Sequence, residues 1–106
     1  MFHRDIRWPN VMRNIKDESK WFLIDWEDSA TPPTQAQSSL RRAIHSPDVF
    51  HDGHGAEVDI WSIGHLIKTC KAMDISSDLR QLGDKICNES CQLTAQQVLN
   101  LVTNCL

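Results

Sequence analysis

The chain has 106 residues and a mass of 12.1 kDa, enough for one compact domain with a modest core that buries about 65% of its unfolded surface. With 41% hydrophobic and 24% charged residues, four Gly and four Pro, it falls outside the collagen-like, low-complexity and wholly disordered classes. A net charge of −3 gives no electrostatic case for nucleic acid or an anionic membrane, and apolar runs such as Trp21 to Ile24 are far too short to cross a bilayer.

The opening residues predict no signal peptide, because Asp5 and Arg7 interrupt any basic-then-apolar pattern. Phe2 to Asn14 reads as an ordered loop, punctuated by Pro9, that leads into a short strand. A polar turn (Lys16, Asp17, Glu18, Ser19) separates Val11-Met12 from Trp21-Phe22-Leu23-Ile24, and the two apolar runs predict a hairpin whose second strand is buried. An acidic cluster, Asp25, Glu27 and Asp28, follows at once. Ser29 to Ser39 has loop composition and is expected to be the least structured part.

Ser46 is placed to cap a single helical turn that begins at Pro47. From Ala56 to Met73 the pattern is helical and apolar over most of its circumference, which predicts the buried centre of the domain. Ser76-Ser77-Asp78 starts a second helix with Leu79, Leu82, Ile86 and Cys87 on its apolar face, and Gly83 weakens it. Thr94 and Gln97 form a capping box that opens a third helix, with Val98, Leu99, Leu101, Val102 and Cys105 as its buried side. The fold class is therefore mainly α with a small β-hairpin, an α+β remnant. Cys70, Cys87, Cys91 and Cys105 form no Cys-x-x-Cys pair and read as buried core thiols in a reducing, intracellular compartment, cytoplasmic or nuclear. His45, His51, His54 and His65 match no standard zinc spacing.

Four motifs carry chemistry. His3-Arg4-Asp5-Ile6-Arg7-Trp8-Pro9-Asn10 resembles the catalytic loop of protein kinases. Asp25-Trp26-Glu27, fifteen residues beyond Asn10, is similar to their metal-binding Asp-Phe-Gly segment with the last two residues replaced. Ser46-Pro47-Asp48 is similar to the Ala-Pro-Glu that closes the activation segment, and Asp59-Ile60-Trp61-Ser62-Ile63-Gly64 resembles the start of the large lobe's central helix. Each is weak alone; their order and spacing together identify a resemblance to the large lobe of protein kinases over residues 2 to 64.

That resemblance implies roles. Asp5 would orient a substrate hydroxyl and accept its proton, and Arg7 would contact the transferring phosphate. Asn10 and Asp25 would hold Mg2+ through oxygen ligands. Arg4 would contact the activation segment, with its phosphorylatable Ser29, Thr31, Thr34, Ser38 and Ser39. His3, Asp48 and Asp59 would be structural anchors, Asp59 by holding the catalytic-loop backbone. Glu27 and Asp28 are either further metal ligands or a solvated turn. An Asp-Trp-Glu run also resembles small-molecule kinases of the aminoglycoside phosphotransferase and choline kinase type, so the substrate class stays open.

The departures from the pattern are equally informative. A Gly-rich phosphate loop, a strand Lys and its helix Glu are missing, and so are the helices that precede the catalytic loop in the family. The family's Glu–Arg pair is broken, with Asp48 for the Glu and Gln92 where the Arg is expected. The whole of 1–106 then reads as a truncated kinase-like large lobe: 1–28 carry the catalytic and metal-binding segments, 29–55 the activation-like segment and 56–106 the helical core. The expected function is a non-catalytic module that binds a protein partner or self-associates, with Phe2, Trp8, Trp21 and Trp26 as either contributors to that surface or buried core. The alternative is an ATP-dependent Ser/Thr-type phosphotransferase, minimal or completed by another chain. Without a nucleotide cradle, Mg2+ and ATP are expected to bind weakly or not at all.

Overall fold

Val11, Trp21 and Phe22 favour extended backbone, and the polar residues between the two runs close a turn. A computed structural model describes residues 1–106, in which these runs pair as antiparallel strands β1 (Val11–Arg13) and β2 (Trp21–Leu23). Val11 stands opposite Leu23, Met12 opposite Phe22 and Arg13 opposite Trp21. Asn14 Oδ1 tightens the connecting turn by accepting the amides of Lys16 at 2.8 Å and Asp17 at 3.1 Å. The second strand is not buried: Trp21 is 59% and Phe22 49% exposed. Two strands with no second layer over the hairpin leave both of its faces largely open.

Three helices follow, α1 (Glu57–Lys68), α2 (Ser77–Asn88) and α3 (Ala95–Cys105). Helix α1 stops short of the expected Met73. Thr69 bonds back to the His65 carbonyl through both its amide and its hydroxyl, and Lys71 to Asp74 then run exposed with nothing to pack on. Ser76 Oγ caps α2 by accepting the Leu79 amide at 3.1 Å. The Thr94–Gln97 capping box is fully formed at α3. No helix is long and apolar enough to cross a membrane.

The core sits where the three helices meet. Ile60 of α1, Leu82 and Ile86 of α2 and Val98 of α3 are buried together, with Ile63, Leu79, Leu101 and Val102 packed around them. Gly83 has a packing reason: helices α1 and α2 cross so closely that a Cβ on Gly64 would lie 2.7 Å from the Gly83 carbonyl oxygen. Helix α1 is not buried all round, since Ile63, Leu66 and Ile67 line an open apolar groove of about 400 Å3 shared with Trp8, Val11 and Trp21. The third helix is shallower than expected, with Leu99 and Cys105 exposed.

The cysteines are less buried than their apolar surroundings in sequence suggest. Cys70 and Cys87 are half-buried, and Cys91 and Cys105 are exposed. Cys91 lies beyond the end of α2 at Asn88, so it shares no helical face with Cys87.

Residues 24–56 are irregular but pinned. Phe2 and Ala30 exchange backbone hydrogen bonds at 2.7 and 3.0 Å. The Gln37 amide donates to the Val49 carbonyl, and Thr34, expected in the loosest stretch, is buried with its hydroxyl on the His54 carbonyl. Ser46 caps the single turn Pro47–Phe50 as anticipated, accepting the Asp48 amide.

Candidate functional site

The loop from His3 to Asn10 is polar, and its one regular piece is the single 3-10 turn Trp8–Asn10 around Pro9, so the rest of its shape is set by side-chain contacts. Asp59, in the first turn of α1, supplies two of them: its carboxylate oxygens accept the amides of His3 and Arg4, each at 2.8 Å. His3 supplies two more. Its Nδ1 accepts the Asp5 amide at 3.2 Å and its Nε2 lies 3.0 Å from the Ile24 carbonyl, which fixes the ring with the proton on Nε2. The ring also meets the indole of Trp26 edge-on at 4.5 Å. The first loop and the end of β2 are thereby locked together.

Two residues other than glycine adopt the left-handed backbone region: Arg4 at φ 68° and Asp25 at φ 64°. Each conformation costs on the order of 1 kcal/mol for a side chain with a Cβ, and strain of this kind concentrates where a site needs a side chain aimed against local preference. Both residues belong to the two motifs that sequence marks as chemical.

The first of those loops presents Asp5, which is only 5% exposed. Asn10, also buried, donates its Nδ2 to the Asp5 carbonyl at 2.9 Å and to Asp5 Oδ2 at 3.0 Å. Arg7 Nε lies 3.1 Å from Asp5 Oδ1, but its N–H is not aimed at that oxygen, so the contact is a charge pairing and not a hydrogen bond. His45 Nε2 reaches the same Oδ1 at 2.7 Å. Asp25 follows Ile24, whose amide donates to the Asn10 carbonyl at 2.9 Å, so the backbone itself sets Asp25 beside the catalytic-like loop. Asp5, Arg7, Asp25, Glu27 and His45 line one polar cleft of about 270 Å3.

Arg4 does not enter that cleft. Its guanidinium donates to the carbonyls of Asp28 and of Gln35, the latter at 3.2 Å, and so crosses to the following segment. Gln37 Nε2 donates to Asp28 Oδ1 at 2.8 Å and closes that side. Asp48 stands apart from the cleft, makes no ion pair and has the Cys91 thiol 3.5 Å from its Oδ2. Desolvation and the Asp48 carboxylate push the Cys91 thiol above its ordinary value.

No three His, Cys, Asp or Glu side chains converge as a ready-made metal cage. What the cleft offers a hard cation is oxygen, chiefly the exposed Asp25 carboxylate; Asn10, buried behind Asp5 and outside the cleft lining, keeps an Oδ1 that accepts no hydrogen bond while its Nδ2 is committed to Asp5. Mg2+ commonly takes one or two protein oxygens and completes its shell with water and phosphate, and the Asp25 carboxylate is of the oxygen type such an ion takes. Glu27 and Asp28 both line the cleft: Glu27 is exposed, whereas Asp28 is half-buried, with Arg4 on its backbone carbonyl and Gln37 on its carboxylate Oδ1.

Sequence reasoning missed His45 as a member of the site. It lies 40 residues from Asp5, and nothing in its local pattern separates it from His51 or His54. The Asp28 carbonyl, which receives Arg4, was equally invisible.

Comparison with known proteins adds two similarities. Over 73 residues, 65% of this chain, the sequence is 45% identical to Crinkler effector protein 8 of Phytophthora infestans. Over 69 residues, 61% of the chain, it is 33% identical to calcium/calmodulin-dependent serine/threonine-protein kinase 1 of Oryza sativa subsp. japonica. The chain spans 12% of the length of each of these relatives. No family model and no solved structure matches it.

Proposed function

We propose that this chain is a kinase-like module that carries the acceptor and magnesium side of a phosphotransfer site and works in association with another protein surface. The observation that carries this reading is the meeting of Asp5, Arg7 and Asp25 on one cleft, with Asn10 bonded to Asp5 and strained backbone at Arg4 and Asp25. Phosphoryl transfer asks a protein mainly for positioned charge, and the cleft holds the needed set. Asp5 orients an acceptor hydroxyl and takes its proton. Arg7 faces the transferred phosphate, and Asn10 and Asp25 offer oxygens to magnesium, which supplies charge neutralisation when bound. The partial similarity to a serine/threonine-protein kinase supports the same chemistry.

The cleft argues for weak nucleotide binding by the chain alone. Leu40 and Ile44 are its apolar lining residues, and no aromatic side chain stands there to stack on a purine. Binding energy from the non-reacting part of a nucleotide is what normally holds the phosphate in line, and little of it is available here.

Association is supported by Trp8. It lies between Arg7 and Asn10, is 46% exposed and lines the open groove on α1, so a surface seated there would adjoin the cleft. A second reading, a purely non-catalytic binding module, is favoured by one observation: the Asp5 carboxylate is buried and already engaged by Asn10 and His45.

Calorimetric titration with magnesium and ATP, on this chain and on Asp25→Asn, separates the two. Weak binding abolished by the substitution supports the phosphotransfer site. No heat at millimolar nucleotide removes it and leaves the binding module.

A further inference from the structure

His45 is 4% exposed and makes a contact with each ring nitrogen. Its Nε2 lies 2.7 Å from Asp5 Oδ1. Its Nδ1 lies 3.0 Å from the Arg41 amide nitrogen and 2.9 Å from the Arg41 carbonyl oxygen. That carbonyl already accepts the amides of Ile44 at 3.2 Å and His45 at 3.0 Å, whereas the Arg41 amide has no other acceptor. One arrangement satisfies every group: a neutral ring whose Nδ1 accepts from Arg41 and whose Nε2–H donates to Asp5.

We propose that His45 is the positioning residue of Asp5, fixing the plane of its carboxylate; the inference rests on reading Asp5 as the acceptor-side base. The terminal torsion of an aspartate is broad, so a carboxylate held at one oxygen rotates. Here Asn10 holds Oδ2 and His45 holds Oδ1, from loops far apart in the chain. A two-point hold of this kind keeps a reacting group within the few tenths of an ångström that catalysis requires. It also ties the stretch from Arg41 to Asp48, which begins and ends outside the catalytic-like loop, to the geometry of Asp5. Rearrangement of that stretch would release Oδ1.

The test is nitrogen-15 NMR of the whole chain, reading the His45 ring and the Asn10 side-chain amide. The expected result is the Nε2–H tautomer with a ring proton that exchanges slowly with solvent. His45→Ala is expected to shift the Asn10 Nδ2 resonances, and His45→Gln, which keeps a donor at the Nε2 position, is expected to restore them. A residue with only a packing role would leave Asn10 unmoved in both variants. An Nδ1–H tautomer, or a rapidly exchanging ring proton, in the unsubstituted chain overturns the proposal, and that reading stands even where His45→Ala does not fold. None of these signals needs nucleotide. Absence of magnesium–ATP binding in every variant would therefore sink the phosphotransfer reading and leave the His45–Asp5 contact intact.

Discussion

The Arg4 amide donates to Asp59 Oδ1 at 2.8 Å, and Arg4 is one of the two residues forced into left-handed backbone. The first turn of α1 thus holds the strained corner of a loop 55 residues away. Because Asp59 also accepts the His3 amide, its removal orphans two part-buried donors at once. Charge-assisted bonds of this type are each worth about 1.5–3 kcal/mol, so Asp59→Ala is expected to destabilise the fold by roughly 3 kcal/mol. Urea denaturation measures it, and a loss below about 1 kcal/mol would show that the loop keeps its shape without the anchor.

The crossing of α1 and α2 is set by a pair of glycines. A Cβ on Gly83 would lie 2.8 Å from the Lys68 amide nitrogen and 2.9 Å from the Gly64 carbonyl oxygen. These are backbone atoms that cannot swing aside, so the helices must separate. Gly83→Ala gains up to about 1 kcal/mol of helix propensity but is expected to be destabilising by about 1–3 kcal/mol net through overpacking. Gly64→Ala should behave alike, since its Cβ would meet both Gly83 O and Cys87 N. Thermal unfolding of either variant checks the sign, and a stabilised variant would refute the close crossing.

How far sequence carried the fold depends on whether a feature is local. The caps at Ser76 and Thr94 and the turn at Pro47 were legible because a few adjacent residues decide them. Motif spacing singled out Asp5, Asn10 and Asp25, while the Asn10–Asp5 bond and the cleft shared by Asp5 and Asp25 are read from the structure. Burial was misjudged where it depends on a covering layer: Trp21 and Phe22 look like core in the alphabet of strands, yet no second layer lies over the hairpin. The His45–Asp5 contact was beyond reach, since it depends on how an irregular segment folds back across 40 residues.

Stability should fall as pH drops through the histidine range. His65 stacks on Trp61 at 4.9 Å, and desolvation by burial, with Lys68 as an added positive neighbour, holds its ring below the ordinary value of 6.5. The unfolded chain therefore binds this proton first. His65 contributes its stability in full above pH 6.5 and loses it as pH falls toward its lowered folded value. Solvent reaches much of the ring, so the effect is modest. Unfolding free energies between pH 7.5 and 5 should show a slope that His65→Gln flattens; an equal slope in both proteins would assign it elsewhere.

The open groove makes the last prediction. Trp8 and Trp21 stand at 46% and 59% exposure on the same groove as Ile63, Leu66 and Ile67, so its apolar lining lies open to solvent. Exposed side chains cost little to replace, whereas apolar area that two molecules bury together drives association in proportion to its size. Trp21→Lys places a charge at the rim without touching the helical core. It is expected to leave the unfolding free energy within about 0.5 kcal/mol of the parent and to shift any concentration-dependent mass in light scattering toward that of a single chain. A parent whose mass stays at 12.1 kDa across concentrations counts against self-association through the groove.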